Sequence, residues 1–149
     1  MMREGVPGWD EYFVQIANIV KLRSKDPRTQ IGCVIVDREH HIVATGYNDL
    51  PRGCTNSESR FVAPHKYDWM VHAEHNAILS ASRRGVSLEG ARLYLSEGYF
   101  PCRGCAAAIV QAGITSVHVP EPDFAKTSFR FDLSLTFFEE AGVKVEYHR

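Results

Sequence analysis

Short β-rich runs alternate with helical runs along most of the chain, and this alternation restricts the possible folds more than any other feature of the sequence. Apolar residues between positions 9 and 22 recur at the i, i+3, i+4, i+7 spacing of a helix with one buried face. Two β-rich runs follow, at 31–37 and 41–46, and the brief polar turn between them predicts an antiparallel hairpin. Residues 47–70 show no sustained period, and a connection of this length is usually functional or partly helical.

From residue 72 onward, helices and strands alternate, and a glycine follows each helix at a position that favours a left-handed cap. We predict helices over 72–84, 103–112 and 131–141 and strands over 92–96, 114–119 and 143–147. Strands joined through such helices lie parallel. The complete order predicts an α/β fold, a three-layer α-β-α sandwich with a five-stranded mixed sheet, which we expect to form a single domain over residues 1–149.

The charge balance and the shortness of the apolar runs argue against two classes of partner. Lysine plus arginine (17) against aspartate plus glutamate (18) gives a net charge of -1, so a nucleic-acid partner is not expected. No apolar run approaches the roughly 18 residues that span a bilayer, and the N-terminus lacks the apolar core of a signal peptide. We expect a cytoplasmic protein with no membrane partner, whose four cysteines stay reduced for metal binding or catalysis.

Two motifs at predicted helix N-termini contain the candidate metal-binding and catalytic residues. The motif HAE at 72–74 opens one helix, and the motif PCRGC at 101–105 lies where a strand turns into the next helix. The positive end of a helix dipole favours thiolate over thiol, and the two-residue gap lets both sulfurs reach one metal ion. The imidazole of His72 and the thiolates of Cys102 and Cys105 are therefore predicted to form a three-ligand metal site.

Three protein ligands indicate a catalytic rather than a structural zinc site, because the fourth position stays open for water. Zinc lowers the pKa of that water toward 7. Glu74 is adjacent to this site but is not needed as a ligand, and we predict that it moves a proton to a leaving group. The sequence thus predicts one catalytic Zn²⁺ ion per chain.

Each part of this site has an alternative interpretation. The C-x-x-C spacing also occurs in redox dithiols, and a single histidine at a helix start is more often a cap or a surface residue, but their joint occurrence favours the metal site. His75 competes with His72 as a ligand on helical geometry. Cys54 and His65 could bind a second zinc ion, but the sequence supports this pair only weakly. Cys33 lies in an apolar strand and is expected to act as a small hydrophobic residue.

Together these motifs resemble the zinc-dependent nucleoside and nucleotide deaminases, and most specifically the deoxycytidylate (dCMP) deaminases of the cytidine deaminase superfamily. The resemblance covers about residues 9–119. The segments that carry it are RSKDP at 23–27, QIG at 30–32, GYN at 46–48, HAEHNAI at 72–78, FPC at 100–102 and IVQAGI at 109–114. It implies a cytidine deaminase-like fold, hydrolysis of dCMP to dUMP and ammonia for pyrimidine nucleotide metabolism, and a homo-oligomer, with a hexamer as the expected form.

The resemblance also assigns roles to residues around the metal. It implies that the three ligands bind zinc and that Glu74 protonates N3 and then the leaving amine. It also implies that the Ala73 backbone contacts the pyrimidine carbonyl and that Asn48 holds the sugar hydroxyl.

A phosphate dianion requires cationic or hydroxyl donors. Our candidates for these donors are Arg28, Ser24 and Lys25. Tyr99 and Phe100 end a loop that borders the base pocket and are further candidates for substrate contact.

Two departures from the family pattern affect what the resemblance implies. Asp49 stands where the family usually has glycine, in a loop associated with dCTP and dTTP regulation, so we expect weak or absent activation by dCTP. The loop at 96–99 is about two residues longer than usual, so another base or nucleoside (cytidine, guanine or a tRNA adenosine) remains an alternative substrate. A non-enzymatic zinc or redox module is the alternative from another class of protein.

Overall fold

The computed structural model describes residues 1–148. Within them, five strands are present: β1 (Gly32–Val36), β2 (Ile42–Tyr47), β3 (Arg92–Leu95), β4 (Ser116–Val119) and β5 (Lys144–Tyr147). The strands form one sheet in the order β2-β1-β3-β4-β5. β1 is antiparallel to both of its neighbours, whereas β3, β4 and β5 run parallel. The predicted hairpin and the five-stranded mixed sheet are confirmed.

Helices cover both faces of this sheet. In the described residues they are α1 (Trp9–Val20), α2 (Lys66–Trp69), α3 (Ala73–Arg83), α4 (Arg103–Gln111) and α5 (Phe131–Ala141), with short 3-10 helices at Lys21–Arg23, Glu58–Phe61 and Thr127–Phe129. α1 packs on one face through Phe13, Val14 and Ala17, while α3, α4 and α5 pack on the other. This arrangement is the three-layer α-β-α sandwich that the sequence predicts.

The predicted element boundaries differ from the observed ones by a few residues. The first helix ends at Val20 and continues as the 3-10 turn Lys21–Arg23, and the fourth strand begins at Ser116 rather than at residue 114. Gly142 ends α5 in the left-handed conformation, with φ +73°, as expected for a glycine cap. Cys33 is fully buried in the core between β1 and the helices, in agreement with its predicted role.

Close contact between β2 and α3 depends on Gly46. A Cβ atom at this position would lie 2.4 Å from the backbone nitrogen of Ala77 and 2.5 Å from the carbonyl oxygen of Ala73. No larger residue fits there without moving α3 away from the sheet. The glycine therefore fixes the position of the helix whose N-terminus carries the HAE motif.

The long connection before α3 is tied at both of its ends. The Asp49 N–H donates to the Val71 carbonyl at 3.2 Å, and the Val71 N–H donates to the Asp49 carbonyl at 2.8 Å. Between these residues the connection contains a 3-10 turn and α2, so it is partly helical. No helix in residues 1–148 is long and apolar enough to cross a membrane.

Candidate active site and metal centre

The three predicted metal ligands lie together where α3 and α4 begin. His72 is the N-cap of α3, Cys102 is the N-cap of α4, and Cys105 belongs to the first turn of α4. The Nδ1 atom of His72 lies 3.4 Å from Cys102 Sγ and 3.3 Å from Cys105 Sγ. Ligand atoms around a tetrahedral zinc ion, with Zn–S of about 2.3 Å and Zn–N of about 2.0 Å, are roughly 3.5 Å apart. The group can therefore hold a metal ion of this kind.

The other candidate ligands lie outside this group. His75 Nδ1 is 3.8 Å from Cys105 Sγ, at the edge of contact, and does not belong to the three-residue cluster. Cys54 and His65 are both exposed and do not join any metal-binding cluster of three residues in the described part of the chain.

The two thiols differ in their pKa values because they share a hydrogen bond. The pKa of Cys102 is lowered to about 4, chiefly because the Cys105 thiol donates to it, with His72 as a second donor. The pKa of Cys105 is raised by this same hydrogen bond and by burial, and the pKa of His72 is raised by its bond to Cys102. Metal ligands bind as thiolate and neutral imidazole, so an ion that enters this group displaces the proton of the Cys105 thiol.

Glu74 lies in the first turn of α3, next to the metal ligands. The residue is 4% exposed, and burial raises the pKa of its carboxyl group against the opposing effect of His72. A raised carboxyl pKa brings the group closer to neutral pH, where it both accepts and releases a proton readily. Glu74 therefore has the properties of a general acid and base.

A cavity of about 800 Å³ opens beside the metal group and Glu74. The residues from the predicted set that line it are His72, Glu74, Cys102, Asn48, Tyr99 and Phe100. Ala73 is fully buried and, like Ser24, Lys25 and Arg28, is not among the lining residues found in positions 1–148. The structure thus brings the motif residues, the asparagine and the two aromatic residues to one site.

The aromatic wall of the cavity comes from the loop after β3 and from the segment that leads into α5. Phe100 packs edge-on against Phe131, with ring centroids 5.6 Å apart, and Phe131 stacks on Phe129 at 5.5 Å. Such rings provide flat apolar surface against which a nucleobase can pack.

Asn48 is held in one orientation by its neighbours. Its Oδ1 accepts the Ile31 N–H at 2.9 Å, and its Nδ2 donates to the Thr29 carbonyl at 2.8 Å. The Ser24 hydroxyl donates to the Asn48 carbonyl at 2.8 Å. One N–H and one lone pair of the amide stay available for a ligand, and the Ser24 hydroxyl supports Asn48.

Lys25 and Arg28 lie apart from the cavity. The ammonium group of Lys25 forms an ion pair with Asp49 Oδ2 at 2.8 Å. The Arg28 side chain is exposed, and its backbone N–H donates to Asp26 Oδ1 at 2.9 Å.

Two other cations, neither of them predicted from the sequence, line the cavity. Lys66 belongs to α2, in the long connection, and Lys126 lies in the loop between β4 and α5. For Lys126 one signal was available: the loop follows the carboxyl end of a parallel strand, which is the edge where ligands bind in α/β sheets. For Lys66 neither periodicity nor a motif marked the position.

An imidazole, two thiols and a buried glutamate at the edge of an α/β sheet define the class of zinc-dependent deaminases, in which the glutamate is not a metal ligand. Residues 7–120 match the family model described as the cytidine and deoxycytidylate deaminase zinc-binding region. The chain belongs to this family.

Individual relatives and solved structures agree with this assignment. The chain is 38% identical to a probable deoxycytidylate deaminase of Drosophila melanogaster over 94% of its own length and 72% of the relative's. It is 40% identical to the human deoxycytidylate deaminase over 73% of its length and 62% of the human protein. A crystal structure of the cyanophage S-TIM5 dCMP deaminase in complex with dCMP and dUMP matches with a TM-score of 0.75 and 25% identity, covering 97% of this chain and all of that one.

Proposed function

We propose that this protein is a dCMP deaminase, which converts dCMP and water into dUMP and ammonia. The observation that carries the proposal is the buried carboxyl group of Glu74 beside the His72, Cys102 and Cys105 group, in the wall of one cavity. The choice of dCMP is supported by the two relatives described above as deoxycytidylate deaminases, which are 38% and 40% identical to this chain.

The site residues supply metal binding and proton transfer. His72, Cys102 and Cys105 would hold a zinc ion, which when bound would lower the pKa of a water molecule toward 7. Glu74 takes a proton from the attacking water and delivers it to N3 of the cytosine. The water oxygen bonds to C4 as N3 is protonated. Glu74 then takes the second proton from this oxygen and passes it to the exocyclic nitrogen, the C4–N bond breaks, ammonia leaves, and the oxygen remains as the C4 carbonyl of dUMP.

The cavity wall positions the base and the sugar for this reaction. Phe100 and Tyr99 line the cavity beside the metal group and provide surface for the pyrimidine ring. The backbone of Ala73 contacts the pyrimidine carbonyl, and the remaining N–H of Asn48 donates to the sugar hydroxyl. The hydrogen bonds from Asn48 to Thr29 and from Ile31 to Asn48 favour this role, because a preorganised donor loses little freedom on binding.

A substrate screen tests the proposal. The purified zinc-loaded protein is incubated with dCMP, deoxycytidine, cytidine, guanine and adenosine, and ammonia release is measured for each compound. We expect the highest kcat/KM for dCMP. Greater activity on guanine or on an adenosine substrate would assign the protein to another deaminase reaction. A reversible dithiol without zinc or turnover would instead favour the redox module.

We also propose that the protein is a cytoplasmic homo-oligomer, a hexamer, and that residues 1–149 form one domain. Several large apolar side chains on and beside α1 are exposed, and burial of such side chains between copies of the chain would favour self-association. These side chains are Trp9, Tyr12, Ile19 and Leu22. Light scattering on the purified protein measures the mass, and a monomer would exclude the hexamer.

A further inference from the structure

Two ammonium groups face the cavity that contains Glu74, and neither belongs to the motifs that define the family. We propose that Lys126 supplies the positive charge that binds the 5′-phosphate of the substrate, and that Lys66 supplies a second, fixed hydrogen-bond donor to it. This inference rests on the proposed function, because it takes dCMP as the substrate.

Lys126 brings an uncompensated charge to the cavity. Its Nζ lies 4.3 Å from the centroid of the Tyr99 ring, and it forms no salt bridge with a carboxylate of residues 1–148. A cation over an aromatic ring is held in place without losing its charge. The ammonium group of Lys126 is therefore oriented at the cavity and available to an anion. The adjacent Thr127 and Ser128 also line the cavity and add hydroxyl donors.

Lys66 differs from Lys126 because its charge is already compensated. Its Nζ lies 3.2 Å from Asp26 Oδ2, and the two side chains are only 12% and 3% exposed. The other carboxylate oxygen of Asp26 accepts the backbone N–H groups of Arg28 and Thr29. An ammonium group has three N–H donors, so Lys66 keeps donors for a ligand while Asp26 fixes its position.

The negative charge of the substrate phosphate is complementary to the uncompensated positive charge of the cavity wall. A phosphate monoester carries about −1.5 to −2 charges at neutral pH. Besides the two lysines, the charged or titratable side chains in the cavity wall are Asp26, Glu74, His72, Cys102, Tyr67 and Tyr99. Lys66 and Asp26 compensate each other, so Lys126 is the cation in this wall that stays free to bind the dianion.

Lys25 and Arg28, the cations that the sequence predicts as phosphate contacts, either bind another group or lie outside the cavity wall. Lys25 is paired with Asp49 at 2.8 Å, and the exposed Arg28 side chain does not line the cavity. This comparison favours Lys126 over both of them as the phosphate contact.

Paired substrates isolate the phosphate contact. We would measure kcat/KM for dCMP and for deoxycytidine with the zinc-loaded wild type and with Lys126→Ala, Lys126→Gln and Lys126→Arg. The alanine and glutamine variants should lose about ten- to a hundredfold in kcat/KM for dCMP, as expected for a lost charged hydrogen bond, and less than about twofold for deoxycytidine. Lys126→Arg should restore most of the dCMP activity. Lys144→Ala is the matched control, because Lys144 is exposed on β5.

Binding of the product gives a second measurement that does not depend on turnover. Calorimetry should show a tenfold or greater loss of affinity for dUMP in Lys126→Gln and no comparable loss for deoxyuridine. Equal losses for both substrates, no loss for either, or a phosphate-specific loss in Arg28→Ala instead would overturn the assignment of Lys126. A wild type that does not deaminate dCMP would refute the proposed function itself, which is a separate outcome.

Discussion

His72 Nδ1 lies 3.3 Å from Cys105 Sγ, although 33 residues separate the two in the chain. The topology of the sheet explains this contact. β2 and β3 are both antiparallel to β1, so they run in the same direction and their carboxyl ends meet at one edge of the sheet. α3 follows β2 and α4 follows β3, so both helices begin at this edge and bring their N-terminal residues together.

Removal of a ligand from this group should remove the metal. Cys102→Ala and Cys105→Ala each leave two ligands, and we expect elemental analysis to find close to no zinc in either variant, against one ion per chain in the wild type. Cys54→Ala is the control and should keep its zinc, because Cys54 is exposed and lies outside the cluster. Full zinc content in both ligand variants would show that the ion binds elsewhere.

Enlargement of Gly46 should disturb both stability and activity. A methyl group there collides with the backbone of α3 near Ala77 and Ala73, and overpacking of this kind costs about 1–3 kcal/mol or more. Gly46→Ala should therefore lower the free energy of unfolding in urea by at least that amount and reduce kcat by displacing the N-terminus of α3. Gly8→Ala, with nothing within 4 Å of the added Cβ, is the control. An unchanged unfolding midpoint in Gly46→Ala would contradict the close packing.

The stability of the protein should depend on pH through His118. Its Nδ1 lies 3.3 Å from Glu146 Oε2, and its Nε2 lies 3.8 Å from Asp10 Oδ1. Burial lowers its pKa below the ordinary 6.5, although both carboxylates act in the opposite direction, while Arg92 and His148 lower it further. As the pH falls below 6.5, the unfolded chain takes up this proton before the folded protein does, so folding is destabilised.

This effect is measured as a difference between two proteins. When the pH is lowered from 7.5 to 5, the wild type should lose more stability to thermal unfolding than His118→Gln, because the variant has no proton to take up at this position. Parallel losses in the two proteins would show that His118 does not contribute.

Asp49 should weaken activation by dCTP. Its carboxylate, paired with Lys25 at 2.8 Å, occupies the position where the family usually has glycine. A carboxylate repels a triphosphate unless a divalent cation bridges the two groups. We expect turnover of dCMP to change less than about twofold when dCTP is added without magnesium, with Asp49→Gly as the comparison variant. Strong activation of the wild type would contradict this expectation.

The sequence predicted the elements and the metal group better than the rest of the site. The motifs HAE and PCRGC identify His72, Cys102 and Cys105 because helix N-termini at the carboxyl ends of parallel strands share one edge of the sheet. The position of β1 between β2 and β3 could not be deduced, since chain order alone does not fix the order of strands in a sheet.

The lysines of the cavity were missed for a different reason. Lys66 belongs to the four-residue helix α2, which is too short to show a helical period. Lys126 reaches the cavity only because the loop after β4 folds back over Tyr99, and such long-range loop contacts leave no periodic signal in the sequence.

We propose that Glu74 transfers protons beside a zinc ion that it does not bind. The most direct test measures zinc content and dCMP turnover together in Glu74→Gln, with Glu89→Gln, an exposed glutamate, as the control. We predict that Glu74→Gln keeps one zinc ion per chain while kcat falls by about 10²- to 10⁴-fold, as expected for the loss of a general acid and base. Turnover at the wild-type rate, or loss of the zinc ion together with the activity, would contradict it.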